Sequence, residues 1–544
     1  MSLQAQQIPP IPEATVAVAR RAFRKGNVYM QMRDVFGTFF TDDQFRDLYP
    51  SEGQPAYAPW RLALVSIMQF AENLCDRQAA DAVRSRIDWK YALSLELDDS
   101  GFDFSVLSEF RQRLLEHTAG EQMLNTLLEH FKQAGLLKGR GTQRTDSTHV
   151  IAKVRDLNRL ELVGRTLQAA LDAIAEVAPQ WLQAWVSPDW YTRYGQVLTT
   201  FRLPEKGAER DALAVQIGWD GITLFQRVCR HPDTPPQVRN LPALRTLQAI
   251  WIQQFVQIED TLRLRTREEM PPAARLIQSP FDLEARYSAK RDKEWLGYKV
   301  HLTETCDEDA PHLIILVHTV NATEQDFDAL QPIHEALQER ELLPTTHLVD
   351  RGYTSAPLLV DSQTQFEVDL CGPLVEKKFW QHTTGYPIAA FVIDWDKHHV
   401  TCPQGKVSYP WSMRPHRRQH ELTRVKFRVA DCKPCPVHDR CTLHDHRTLS
   451  FHEQPLFEAV QRRKQEQHTP EFRQRYGKRA GIEGTISQGV FALAMRQSRY
   501  RGLDKTHLQF ILTAAAMNLT RVINWHNEVE RKSTQPTRFG RLAA

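Results

Sequence analysis

The 544-residue chain has no apolar run approaching the roughly 20 residues of a membrane-spanning helix. Its opening stretch, MSLQAQQIPPIPEATVAV, lacks the basic-then-apolar pattern of a secretory signal. The expectation is a cytoplasmic protein with no membrane partner. A strong charge of either sign is also missing. The net charge is +3, so bulk electrostatics announce no polyanionic partner, and any nucleic-acid surface must come from local clustering. Cysteine is scarce, with eight residues. In a cytoplasmic protein these are read as free thiols or metal ligands rather than disulfides. No internal repeat of about 20–50 residues is evident, and no convincing helix-turn-helix stands out near the N-terminus.

The chain does have enough apolar residues (42%) for real cores, and its 25% of charged residues is ordinary for a soluble protein. Its length calls for roughly two to four units. Two basic stretches stand out. One runs from Arg414 to Arg428 (Arg414, Arg417, Arg418, Arg424, Lys426, Arg428). The other runs from Arg462 to Arg479 (Arg462, Arg463, Lys464, Arg473, Arg475, Lys478, Arg479). Taken alone, each reads as a solvated face as readily as a DNA-facing one.

Residues 1–137 carry helical periodicity. From Pro59 to Ala82, Leu62, Val65, Ile67, Met68 and Phe70 recur at helical spacing, and Ser105 is placed to cap VLSEFRQRLLEH. Gly135, Gly139 and Gly141 close the segment. TQRTDSTHVIAKV then reads as a strand of about ten residues, with Asp146 in its middle, where an unpaired acid is unfavourable. Residues 156–284 return to helical period through Leu160, Val163, Leu167, Leu171 and Ile174, and later Leu244, Leu247, Trp251 and Phe255. From Gly297 the pattern turns to β: GYKVHLTET, then HLIILVHTV, a helix marked by Leu330, Ile333 and Leu337, and the short strand THLVD ending at Asp350. Active-site residues in open α/β sheets sit at carboxyl ends of strands. Residues 376–461 are rich in His, Arg and Cys and poor in apolar period, and residues 455–530 are helical again, with Glu483 near the start of a helical run.

Three acids from separate segments, Asp146, Asp350 and Glu483, are the right chemistry for hard divalent cations, which take carboxylate oxygens. A pair of such ions serves phosphodiester cleavage. With 66 acidic residues in the chain, the triple is a weak signal by itself, and Glu471 is the next acid to test.

The blocks RTDSTHV, GYKVHLTET and HLVDRGYTS, then Tyr476-x2-Arg479-x3-Glu483 followed by GTISQGV, and finally RYRGLDKTHLQFILTAAAMNL, resemble the DDE transposases of bacterial insertion sequences. FSVLSEFRQRL fits as well, so the resemblance runs over nearly the whole chain. It points to the branch with a helical N-terminal domain and a Y-x2-R-x3-E motif. One position departs: the Lys that the wider pattern has seven residues after the Glu is Val490 here, with Arg496 or Lys505 as substitute charges.

The resemblance implies an α/β fold: a ribonuclease-H-like mixed sheet flanked by helices, with a helical N-terminal domain and two insertions. The implied division is as follows. Residues 1–137 bind DNA ends, and 138–155, 285–375 and 462–530 make the catalytic core. Residues 156–284 form a helical insertion, 376–461 a basic Cys/His-rich insertion, and 531–544 a flexible tail. Asp146, Asp350 and Glu483 would hold two Mg2+ (or Mn2+), with Tyr476 and Arg479 in support. They would cleave the element's ends and join the 3′-hydroxyls to target DNA. Arg417, Arg418, Lys478, Arg496, Arg499, Arg501 and Lys505 are the expected DNA contacts. The partners would be double-stranded DNA, as terminal inverted repeats and target, and a second copy of the chain, in a homodimer or higher assembly on nucleoid DNA. The alternatives are a domesticated or inactive transposase that only binds DNA, and a ribonuclease-H-like nuclease without strand joining.

Cys402, Cys432, Cys435 and Cys441 form a second constellation, able to hold a structural Zn2+ or to remain free thiols, with His438 and His444 as substitute ligands. Cys75, Cys229, Cys306 and Cys371 are expected in cores. Trp89, Trp380 and Trp395 are expected in cores too, with stacking on a flipped base as the other reading.

Overall fold

The computed structural model describes residues 2–199, 203–204, 207–290, 292–375, 379–411, 422–529, 539 and 542. The N-terminal part is all helical: α1 Glu13–Ala22, α2 Val28–Phe36, α3 Pro59–Ala71, α4 Asp76–Ser85, α5 Ile87–Ala92, α6 Ser105–Glu116 and α7 Gln122–Gln133. The periodic stretch from Pro59 to Ala82 is two helices, because Asn73 takes a left-handed turn (φ 56°) between α3 and α4. Ser105 does not cap α6. It is the first helical residue, and the carboxylate of Asp103 accepts its N–H at 2.9 Å, since an acid two residues upstream reaches that orphan donor better.

Strand β1 (Thr142–Ile151) is the centre of the main sheet. The helical insertion follows: α8 Arg159–Val177, α9 Pro179–Gln183, α10 Pro188–Tyr194, α11 Ala208–Arg230, α12 Pro236–Arg239 and α13 Pro242–Gln254. It is not wholly helical. Phe255–Ile258 (β2) and Thr261–Leu264 (β3) form a hairpin, and Phe255, expected on a helix face, lies in that strand. The insertion has a core of its own, built from Leu160, Val163, Leu167, Ile174, Leu224, Leu247 and Trp251.

The β pattern begins before Gly297. β4 (Arg286–Lys290) folds back on β5 (Lys293–Thr305), and β6 (Ile314–Asn321) pairs with the later part of β5. Then come α14 Leu330–Glu339, β7 Thr346–Val349, α15 Ala356–Phe366 and β8 Asp369–Cys371. The order across the sheet is β4-β5-β1-β7-β8, with β6 also on β5. β5 runs antiparallel to β1, while β7 and β8 run parallel to it. This curled mixed sheet flanked by helices is the ribonuclease-H-like arrangement. Gly297 is required where β1 and β4 meet β5: it holds φ 154°, and a Cβ there would fall 2.1 Å from the carbonyl oxygen of Val150.

After the sheet, a small Cys/His-rich unit contains α16 Trp380–Thr384, β9 Val392–Asp394, β10 His399–Thr401, β11 Thr423–Lys426, α17 Val429–Cys432, α18 His438–Cys441 and β12 Thr448–Phe451. Its own core gathers Phe391, Val400, Trp411, Val425, Phe427, Leu449 and Phe451. The chain closes with α19 Gln454–Glu466, α20 Pro470–Gly477, α21 Gly481–Leu493 and α22 Leu503–His526.

α22 joins the N-terminal helices to the sheet. Phe510, Ile511, Leu512, Ala515, Met517 and Leu519 are all buried. A helix apolar on every side must lie inside, and this one packs on α3 and α7 as well as on β6. One continuous core therefore contains α3, α7, α22, β5 and β6 residues.

The cysteine expectations divide. Cys306 and Cys371 are buried, but Cys75 and Cys229 are exposed: the first precedes α4 at a turn, the second is on the outer side of α11. All eight are free. Trp89 is wholly buried and so closed to any base. Trp395 packs edge-on against Trp411 and Phe451. No described helix is long and apolar enough to cross a membrane.

Candidate active site

β1 and β7 lie side by side in parallel, with Thr145 opposite Val349. The next residue on each is an acid, Asp146 and Asp350, so the register alone makes them neighbours. Each is locally restrained. Asp146 Oδ1 accepts the N–H of Ser147 at 2.8 Å, and Asp350 Oδ1 accepts the N–H of Arg351 at 2.7 Å, starting the 3-10 turn Arg351–Tyr353. Glu483 arrives from α21, where it stands in the first turn, the end at which a helix favours negative charge.

Arg479 ties these segments together. Its Nη2 donates to Asp146 Oδ2 at 2.5 Å and its Nη1 to Glu483 Oε1 at 2.8 Å. Its side chain is only 12% exposed. Tyr476, one turn earlier, stacks on Phe472 with ring centroids 5.7 Å apart, and burial raises its phenol. Burial also pushes the Asp146 carboxyl up, and the charges of Asp350 and Asp326 add to this. Arg479 and the Ser147 N–H work the other way. Arg479 is itself held charged: burial alone would lower it, but Asp146, Asp350 and Glu483 outweigh that.

Asp326 is the acid that sequence reasoning missed. It lies past the end of β6 and accepts from Ser147 Oγ at 3.1 Å and Lys299 Nζ at 3.0 Å. Burial would raise its carboxyl, but Lys299 and Lys290 more than offset this and hold it below its usual range. The sequence held no signal for it beyond a polar loop, since it reaches Asp146's strand through the hydroxyl of Ser147, 179 residues away. Beneath the site, His301 Nδ1 and the Tyr353 hydroxyl are 2.6 Å apart, both buried. Burial keeps the phenol protonated and the imidazole neutral, so the two share one hydrogen bond whose donor is set by the imidazole tautomer.

A second buried network sets α21 on β1. Arg144, two residues before Asp146, donates to Glu304 Oε1 at 2.7 Å and to the carbonyl of Lys478 at 2.5 Å. Glu304 is fully buried. Its Oε2 accepts from Arg521 at 2.8 Å and from Thr485 at 2.6 Å. The strand of the first acid and the helix of the third thus share one carboxylate.

The donor set fits a hard cation. Asp146 and Glu483 pair with one positive charge, the guanidinium of Arg479, and the charge of Asp350 also acts on it. Among the described residues no three His, Cys, Asp or Glu side chains are already gathered into a metal cage, and at this site Arg479 is interposed between the acids. The cysteine unit offers donors of the type a zinc ion takes. Cys402, Cys432, Cys435 and Cys441 all line one cavity of about 30 Å³ together with His438, and the Lys406 N–H donates to Cys402 Sγ at 3.4 Å. His444 is not part of that lining.

The expected DNA contacts scatter. Arg417 and Arg418 lie outside the described residues, as does nearly all of the tail at 531–544. Lys478 is paired with Glu308 at 3.0 Å. Arg496 donates to Thr148 Oγ1 at 3.4 Å, close to Asp146. Arg499 is engaged inside the chain: it donates to the Leu74 carbonyl at 2.7 Å and lies over the Phe70 ring. Arg501 and Lys505 are exposed. Val490 packs against the main core, which explains an apolar residue at that position. Glu471 is exposed in the first turn of α20.

Two family models match the chain. One, described as a transposase DDE domain, covers residues 401–523, a span that holds Tyr476, Arg479, Glu483 and the four clustered cysteines. The other, described as a transposase domain, covers residues 18–113 in the N-terminal helices. Asp146 and Asp350 lie outside both spans. No curated protein matches the chain.

Proposed function

Starting from a chain that is a DDE transposase of an insertion sequence, we propose that it cuts the element's ends and joins the freed 3′-hydroxyls to target DNA, with Asp146, Asp350 and Glu483 as the catalytic carboxylates. One observation supports this reading above the others: acids 204 and 337 residues away from Asp146 are brought to it, Asp350 by the register of β7 on β1 and Glu483 by the shared guanidinium of Arg479. Mg2+ or Mn2+ bound by the three acids would activate the attacking oxygen and stabilise the leaving one.

The chain's own residues do the rest. Arg479 is suited to leave the carboxylates for a DNA phosphate, which it can hold through two parallel N–H bonds. Lys299 keeps Asp326 ionised and engaged, so that Asp326 restrains Ser147 beside Asp146. The Arg144–Glu304–Arg521 network fixes where α21 presents Glu483. In the first step water attacks the phosphorus and the P–O3′ bond breaks, leaving a 3′-hydroxyl. In the second step that hydroxyl attacks a target phosphate and displaces another 3′-oxygen. The N-terminal helices are assigned to the element's end, the four cysteines to a structural Zn2+, and the acting form to a dimer or larger assembly on DNA.

The test is cleavage of a labelled duplex carrying the element's end, with Mg2+ or Mn2+, by wild type, Asp350→Ala and Glu483→Gln. Cutting by wild type alone, with all three binding, supports the assignment. Equal cutting by the variants removes it and turns attention to Glu471.

A further inference from the structure

β1 continues past its end at Ile151 through Lys153 and Arg155 toward α8. There a cleft of about 350 Å³ opens between the helical insertion and the turn before α22. Lys153, Arg155, Arg165, Phe281 and Arg501 line it, with Leu198 among the apolar residues, and among the described residues no acid lines it. Arg155 is neutralised by Glu161 at 2.5 Å. Among the described residues, Lys153, Arg165 and Arg501 form no ion pair.

The ring of Phe281 organises two of these charges. The guanidiniums of Arg165 and Arg501 lie 5.1 Å and 5.4 Å from its centroid. A cation–π contact orders an arginine without cancelling its charge, and it leaves N–H groups for an anion. Among the described residues Arg165 gives one long bond, 3.4 Å, to Gln168. Two like charges against one ring repel, and a shared anion between them relieves that repulsion. Val154, Leu157 and Leu198, also in the lining, offer apolar side chains beside these charges, so the cations are the groups that would take the phosphates.

The position favours DNA over a small anion. The cleft begins just beyond the end of Asp146's strand, after the bend at Lys153 and Val154, and Arg496 lies beside that strand: it donates to Thr148, and its carbonyl accepts the N–H of Ile151 at 2.8 Å. Asp146 and Ile151 are five residues apart on β1, about 17 Å at about 3.4 Å per residue. At about 3.4 Å of duplex axis per phosphate on one strand, this is about five base pairs.

We propose that this cleft grips the DNA backbone about five base pairs from the scissile phosphate, so that the helical insertion acts as a second clamp on the duplex entering the active site. The inference rests on the proposed transposase reaction.

The experiment uses the full chain and a duplex carrying the element's end, comparing wild type with Lys153→Ala/Arg165→Ala/Arg501→Ala. Loss of about three phosphate contacts makes the slope of log K against log salt shallower by about 2–3 and weakens binding on the order of 10²-fold at physiological salt. A neutral methylphosphonate placed along the duplex, which leaves the protein untouched, weakens wild-type binding about five base pairs from the cut and has little effect there on the triple variant. An unchanged slope in a variant that still cuts overturns the clamp alone. So does competition by inorganic phosphate with no response to the methylphosphonate, which would make this a small-anion site. Failure of the wild type to bind or cut the duplex overturns the transposase reading and the clamp with it.

Discussion

Gly481 lies directly against the guanidinium of Arg144: a Cβ at 481 would fall 2.0 Å from Arg144 Nη1. That guanidinium has little freedom to yield, because it is bound to Glu304, to the Lys478 carbonyl and to His312. Gly481→Ala should therefore push α21 off β1 and move Glu483. A displacement of about 1 Å costs on the order of 10²-fold in rate. Single-turnover cleavage should show that loss while end binding, measured by gel shift, changes little. Glu304→Gln should act differently. It leaves one buried and one partly buried guanidinium without their anion, at a cost of about 3–5 kcal/mol, read by urea unfolding. Stability equal to wild type would show that the network is dispensable.

Arg479 bridges Asp146 and Glu483 where a divalent ion is expected to bind. Arg479→Ala should bind Mn2+ more tightly than wild type in the absence of DNA, by calorimetry, because a competing cation is gone. Cleavage should nonetheless fall on the order of 10²-fold, since the arginine also serves the phosphate. Arg479→Lys should recover little, as one ammonium cannot reproduce the planar fork. Equal Mn2+ affinity in wild type and Arg479→Ala would remove the bridging role.

Glu121, just before α7, accepts from His507 on α22 at 2.7 Å and from Arg340 beyond α14. Burial tends to raise its carboxyl, but these two partners prevail and depress it. A depressed folded pKa means stability that is present above the unfolded value, about 4.3, and lost as pH falls through the folded value. Glu121→Gln should therefore be less stable than wild type near pH 7, on the order of 1 kcal/mol given its partial exposure. The two should converge below about pH 4. Thermal unfolding across pH 3–7 reads this directly, and a gap independent of pH would contradict it.

The four cysteines facing one cavity should carry about one zinc per chain, measured by elemental analysis of protein purified without added metal. Cys432→Ser and Cys435→Ser should each lose it, and a chelator should lower the stability of the Cys/His-rich unit. Zinc-free wild type with four titratable thiols would return the cluster to ordinary free cysteines.

Much of this molecule could be read from residue order. Alternating Tyr298, Val300 and Leu302 announced β5, and the apolar run of THLV announced a strand ending on Asp350, because side-chain period and backbone preference are local properties. The same locality explains the misses. β2 and β3 are short strands that borrow apolar residues from a helical rhythm. Cys75 and Cys229 were assigned to cores by type, although exposure depends on what packs nearby. The contacts that Arg499 makes with Leu74 and Phe70, more than 400 positions away, were equally beyond a local reading.

The sequence by itself determined which side chains carry acid, base and thiol chemistry, where the strands and helices that bear them run, and which family the chain resembles. Only the tertiary structure decided the company those groups keep. Asp326 joined the site through Ser147, Glu304 became the shared anchor of Arg144 and Arg521, and the insertion's Arg165 met Arg501 across Phe281. The physical reason is range. Strand and helix preferences act over a few residues, whereas charges and packed rings interact through a few ångströms of space, whatever the length of chain between them.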